Sequence, residues 1–196
     1  GAVGLELDVP SVAGLFAEEL GALLAVPTAS LSEAVAVVGD HGLADVTLSG
    51  NNTYTGTFDA LAGSLTTLSS GALGNNATVT LAAGAALNLG TSGRLATLTG
   101  SGTALIGTGT TLSLGGNNIS STFAGILSGD GGMTKLGTGT LTLGGISDLT
   151  GDTLVNAGTL QVTGSLASGN VRVNNGGSVG GSGTLAGAVT VADGGR

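Results

Sequence analysis

From Asp45 onward, apolar and polar residues alternate in short runs: Val46–Leu48, Leu65–Leu68, Thr78–Leu81, Ala86–Leu89, Leu95–Leu98, Thr103–Ile106, Thr111–Leu114, Thr140–Leu143, Thr153–Val155 and Thr159–Val162. A period of two puts Leu141, Leu143, Leu154, Leu160 and Val162 on one face of their strands and the threonines on the other. Gly, Asn, Asp or Ser closes each run, the residues that make tight corners. No run is long enough to form a sheet by itself. Corresponding positions return every 18 to 21 residues, as in Leu48 to Leu68, Leu87 to Leu105, Leu141 to Leu160 and Val171 to Val189. Units that cannot bury their own apolar face become stable by stacking on neighbours. The pattern therefore predicts a mainly β protein: a right-handed parallel β-helix over 45–196, with about seven or eight coils and ~35 Å of length at one strand separation per coil.

The first 44 residues have a different period. Val9, Val12, Ala13, Phe16, Leu20, Leu23 and Leu24 recur at three and four, which predicts an amphipathic helix with Pro10 in its first turn. After Pro27, Ser30 and Glu33 fit a capping box for a second helix that Gly39 would close. The end of a β-solenoid exposes unpaired backbone and an open core, so segment 1–44 is expected to be a helical cap.

Composition sharpens the solenoid reading. The 196 residues include 40 glycines, 2 prolines and 2% aromatics, with no cysteine. The glycines punctuate Leu, Val and Thr runs and do not form low-complexity tracts, so they read as corners and not as disorder. The core is expected to be small-residued, and the few aromatics of the rod, Tyr54, Phe58 and Phe123, to pack at corners or lateral loops. The net charge of −8 is concentrated at the start of the chain, where residues 1–45 hold seven acids and no base. The rod carries Asp59, Asp130, Asp148, Asp152 and Asp193 against Arg94, Lys135, Arg172 and Arg196. So few bases cannot track phosphates, which argues against nucleic-acid binding. Without cysteine there is neither disulfide nor thiolate chemistry. No run of about 18 apolar residues could cross a membrane as a helix.

Candidate chemistry is sparse. The asparagine pairs at Asn51, Asn75, Asn117 and Asn174 are expected to be corner residues forming side-chain ladders. His41, the only histidine, stands by Asp40 and reads as a polar corner. The glycine-rich runs at Asp130 and Gly180 resemble calcium-binding coils only faintly, and the second lacks the Asp that would supply ligands, so no calcium or other metal is expected. Asp148 and Asp152 are four residues apart in a turn region, which suits solvated turn formers better than the convergent carboxylates of a glycosidase. No catalytic residue and no cofactor site is predicted.

The stretch from Gly131 through Gly145, followed by Leu149–Val162, resembles the autotransporter-associated β-strand repeat of bacterial type V secreted passenger domains. The resemblance is close from about Thr122 to Arg196, with the repeat at about 122–164, and looser from Asp45 to Ser121. It assigns structural repeat positions to Lys135, Gly137, Gly139, Leu141, Leu143, Gly151, Val155, Asn156, Gly158, Leu160 and Val162. It implies a surface-displayed or secreted passenger and a translocator barrel elsewhere in a longer parent, of which these residues would be a piece. It further implies a scaffold whose folding supports secretion, with adhesion or self-association to a host surface or to its own kind. An inert stalk for an enzymatic module and a glycan-active β-helix enzyme are the alternatives.

Overall fold

A computed structural model describes residues 45–51 and 56–196, so the predicted helices of 1–44, His41 and Tyr54 lie outside the described residues. The strands are short and follow one another at glycine- and serine-rich corners. In chain order they begin with β1 (Asp45–Leu48), β2 (Thr57–Ala60), β3 (Ser64–Thr67), β4 (Thr78–Leu81), β5 (Ala86–Leu89), β6 (Gly93–Leu95) and β7 (Thr97–Gly100). The middle of the rod holds β8 (Thr103–Ile106), β9 (Thr111–Leu114), β10 (Ser121–Phe123), β11 (Ile126–Ser128), β12 (Gly132–Lys135), β13 (Thr140–Leu143) and β14 (Ile146–Ser147). It continues with β15 (Thr153–Val155), β16 (Gly158–Val162), β17 (Ser165–Leu166), β18 (Asn170–Val173), β19 (Gly177–Gly180), β20 (Thr184–Leu185) and β21 (Ala188–Val191).

Every pairing is parallel, between a strand and its counterpart one coil away. The strands stack in three faces. The first runs β1-β3-β5-β8-β11 and continues in β14-β17-β20, joined where the Asp148 N–H donates to the Leu127 carbonyl at 2.9 Å. The second holds β2, β4, β7, β10, β13, β16 and β19, and the third β6, β9, β12, β15, β18 and β21. This is the predicted parallel β-solenoid, of about seven turns. Coil length is not constant: Ala86 pairs with Thr103 and Thr103 with Ile126, spacings of 17 and 23. Strand pairing fixes the rise per coil and leaves corner length free, so insertions collect at corners.

Inside, residues at equal positions pile into columns. On the first face Leu65, Leu87, Ala104 and Leu127 follow one another in register, each at most 1% exposed. One column of the second face runs Ala60, Leu81, Gly100, Phe123, Leu143 and Val162. Phe123 is fully buried there, so it does not sit in a lateral loop as its asparagine-rich neighbourhood suggests. Its ring fits because the rung below contributes Gly100, and because a Cβ on Gly125 would lie 2.6 Å from the ring. Phe58, 5% exposed, also points inward. Both aromatics are core residues because a column tolerates a large side chain when its neighbours are small.

Register corrects the sequence reading elsewhere. Leu141–Leu160 and Val171–Val189 are true partners. Leu48, however, pairs with Thr67 and Leu87 with Ala104, each one residue short of the leucine that the spacing suggests. The displaced Leu68 and Leu105 therefore face outward, 53% and 44% exposed, because a slip of one residue reverses every side chain. In β15, Thr153 and Val155 point inward and Leu154 is the half-exposed residue, the reverse of the predicted assignment. Thr153 can be buried because its Oγ1 accepts a hydrogen bond from Ser168 Oγ at 3.0 Å. The run Leu95–Leu98 is split between the third and second faces, β6 ending at Leu95 and β7 beginning at Thr97.

Candidate functional site

Most of the repeat residues singled out in the sequence lie at or beside one edge of the rod, the corner between third and second faces, while Gly151 lies at the corner between first and third. After β12 the chain turns through Leu136, Gly137 and Thr138; one coil later it turns through Asn156 and Ala157 between β15 and β16. Gly137 and Gly158 have φ of +65° and +63°, a region that strongly favours glycine. A Cβ on Gly158 would lie 2.5 Å from the Gly137 carbonyl oxygen, so these corners touch from rung to rung. Gly139 and Gly151 also press against backbone: a Cβ would come within 2.6 Å of the Ile119 carbonyl at Gly139 and would overlap the Gly131 carbonyl at Gly151. Leu141, Leu143, Val155, Leu160 and Val162 are core residues at 2% exposure or less.

Outside this corner, Asn174 Nδ2 donates to Asn156 Oδ1 at 2.7 Å, a ladder step between coils. The pair at Asn117 behaves differently. Asn118, with φ +65°, accepts the Thr138 N–H at 3.0 Å, and Asn117 accepts the Ile119 N–H at 3.2 Å, so both bond to backbone. Further ladder steps run from Thr97 to Thr78 and from Thr99 to Thr80, and Asn88 Nδ2 donates to Thr66 Oγ1 at 3.4 Å.

Inside the same corner lies a group whose role the sequence does not disclose. Lys135 continues the inward column Leu95–Leu114 and precedes Val155 and Val173 in it. It is 1% exposed. Its Nζ donates to the carbonyls of Leu136 at 2.5 Å, Gly137 at 2.8 Å and Ala157 at 3.2 Å, the last on the following coil. Burial lowers its proton affinity below the ordinary lysine value of 10.5 by penalising the charged form. Three acceptors around one nitrogen oppose that penalty, because only an ammonium has three N–H groups to give. A basic residue in an apolar column was the available signal, and periodicity alone could not say what it met.

Asp130 and Asp152 border a shallow groove of about 310 Å³ with Gly109, Thr111, Gly132 and Leu154 on the third face. Both carboxylates already have partners. Asp130 accepts from Thr150 and Thr108 at 2.9 and 3.3 Å, and Asp152 Oδ1 accepts the Asn170 N–H at 2.8 Å and its side-chain amide at 3.0 Å. Asp148 is exposed and is not part of that groove. Among the described residues no group of three or more His, Cys, Asp or Glu comes together. The geometry offers rungs, ladders and one buried cation.

Comparison with known proteins points the same way. Residues 42–73 and 133–162 match the family described as the passenger-associated-transport-repeat. A stretch of 94 residues, 43% of this chain, is 42% identical to the adhesin BmaC autotransporter of Brucella suis biovar 1 (strain 1330), of which it covers 3%. Over 59 residues, 30% of this chain, it is 49% identical to an extracellular serine protease of Serratia marcescens, covering 6% of that protein. The chain thus spans a small fraction of the length of these curated relatives. No solved structure matches it.

Proposed function

We propose that this chain, which carries two passenger-associated-transport-repeat segments, is a length of an autotransporter passenger: a β-helical scaffold displayed at the bacterial surface or secreted, whose stacking assists its own export. The observation that carries this reading is the parallel coil-on-coil pairing along the rod. Each coil finds its backbone partners on the coils beside it, as in Thr163 N–H to the Leu143 carbonyl and Ala186 N–H to the Leu166 carbonyl. A coil alone has almost nothing to bond to, so coils that have formed outside a membrane template the next one and disfavour its return. The part from Thr122 to Arg196 would be the seed, segment 1–44 the cap, and a translocator barrel of the parent the partner. The test is export of the parent protein after deletion of 135–164. A fall in surface-exposed passenger supports the reading, and undiminished export contradicts it.

Adhesion or self-association is a second reading, favoured by Leu105, Ile126 and Ile146, which stand 44%, 43% and 70% exposed on the first face. The name of the Brucella relative is in keeping with it. Replacing Ile126 and Ile146 by serine should then weaken clumping of displaying cells while leaving export unchanged. In the stalk reading catalysis resides elsewhere in the parent, and the name of the Serratia relative, an extracellular serine protease, is in keeping with it. Hydrolysis of glycan or peptide by the purified 196 residues would contradict it.

A further inference from the structure

Lys135 is the one charged side chain among the buried residues of the described chain, and its hydrogen bonds all go to main-chain carbonyls, none to a carboxylate. None of the backbone hydrogen bonds at the corners ends on the Leu136, Gly137 or Ala157 oxygen. These residues are half-buried, and at the corner their oxygens meet the fully buried lysine head, the donor that half-buried carbonyls otherwise seek from water. Space for the donor is reserved as well. At Gly115, on the preceding coil and at φ +91°, a Cβ would lie 2.5 Å from the Leu136 oxygen and 3.3 Å from Lys135 Nζ.

We propose that this corner is a binding site for a primary ammonium, formed by the carbonyls of Leu136, Gly137 and Ala157, and that Lys135 is its tethered occupant. Two of the oxygens belong to the lysine's own coil and the third to the next, so the bound cation fixes the spacing and register of one coil on the other. Lys135 is a positioning residue in this sense. Its stem fills the apolar column while its head replaces the hydrogen bonds that the corner lacks. A guanidinium, planar and larger, does not match three carbonyls converging on one point, and a methionine has no N–H to give. The inference does not depend on the secretion reading, because it concerns the folded chain itself.

The test uses the full purified chain. Replacing Lys135→Ala removes the shape of n-propylammonium, Cγ through Nζ. Unfolding of this variant is followed with n-propylammonium, with n-propanol, which has one donor and no charge, and with tetramethylammonium, which has charge and no N–H. The expected result is a folding constant about 100-fold below that of the parent chain, restored at least tenfold and saturably by propylammonium alone. The parent chain should not respond. Equal rescue by propanol or tetramethylammonium, or no rescue, overturns the proposal, as does a Lys135→Met chain that is as stable as the parent. Should the alanine variant not fold, the parent chain decides. Lys135 is its only lysine, so one 15N-labelled side-chain ammonium signal reports on it. A slowly exchanging ammonium resonance at neutral pH, with resistance to acetylation by a succinimidyl ester, supports the site; rapid exchange and ready acetylation overturn it.

Discussion

The two repeat segments, 42–73 and 133–162, build the same rod in different ways. In the second, every turn of the coil has a strand on all three faces. Around the first, no strand occupies the third face among the described residues before β6. There the corner after β3 folds back on itself, and Ala72, Leu73 and Ala77 fill the space that a strand fills later, at 2%, 7% and 0% exposure. The turn is closed by Ala72 N–H to the Ser69 carbonyl and Gly74 N–H to the Gly71 carbonyl. Both segments contain the same local step, a left-handed glycine followed by Ser or Thr and Leu, at Gly63–Leu65 and Gly158–Leu160. Yet the step begins β3 on the first face and β16 on the second. The motif specifies a bend and a strand, and the stack decides which face receives it.

That difference makes the second segment the more demanding one. The largest expected effect is at its corner: Gly137→Val combines φ +65° with a Cβ that runs into the Gly115 carbonyl, and should lower stability by more than ~3 kcal/mol in denaturant unfolding. Gly84→Ala, near the first segment, has φ +85° but open space around the new Cβ, and should cost only about 1 kcal/mol. Equal losses would mean that the two corners are not different in kind. Phe123→Ala, which empties the column beside Gly100, should cost about 3–5 kcal/mol by the same measurement. Next in size, Leu160→Ser should destabilise by several kcal/mol while Leu154→Ser changes stability by ~1 kcal/mol or less, because only the first is fully buried.

The smallest effect concerns pH. The folded-state proton affinity of Lys135 is lowered by burial, so between that value and 10.5 the unfolded chain holds more protons than the folded one. Stability should therefore rise with pH in that window, by no more than about 1.4 kcal/mol per unit, and the rise should vanish in Lys135→Met. A fall with rising pH in the parent chain, absent from the variant, would mean that the carbonyl contacts outweigh desolvation.

The sequence discloses the architecture because alternation and glycine spacing are direct consequences of stacked short strands. It discloses the register less well. Leu141 to Leu160 can be read correctly because their coil has no irregular corner, whereas Leu87 to Leu105 misleads by one residue because that coil is only 17 residues long. Thr153 and Leu154 exchange faces for a reason that lies 15 residues away, in the hydroxyl of Ser168. Lys135 is the clearest case. Its place in the repeat is legible, but the carbonyls that it binds are made by the conformation of two corners, and no spacing of residue types encodes them.

The absence of cysteine makes one measurement decisive for the stacked, in-register rod. Thr142 and Gln161 are outward-facing register partners on neighbouring coils, and Thr122 pairs with Thr142 on the other side. Cysteines introduced at Thr142 and Gln161 should join rapidly on oxidation of the folded monomer, since adjacent strands lie within disulfide reach. Cysteines at Thr122 and Gln161, two coils apart at roughly 10 Å, should not. Failure of the first pair to join, or equal joining of the second, would contradict the parallel coil-on-coil arrangement.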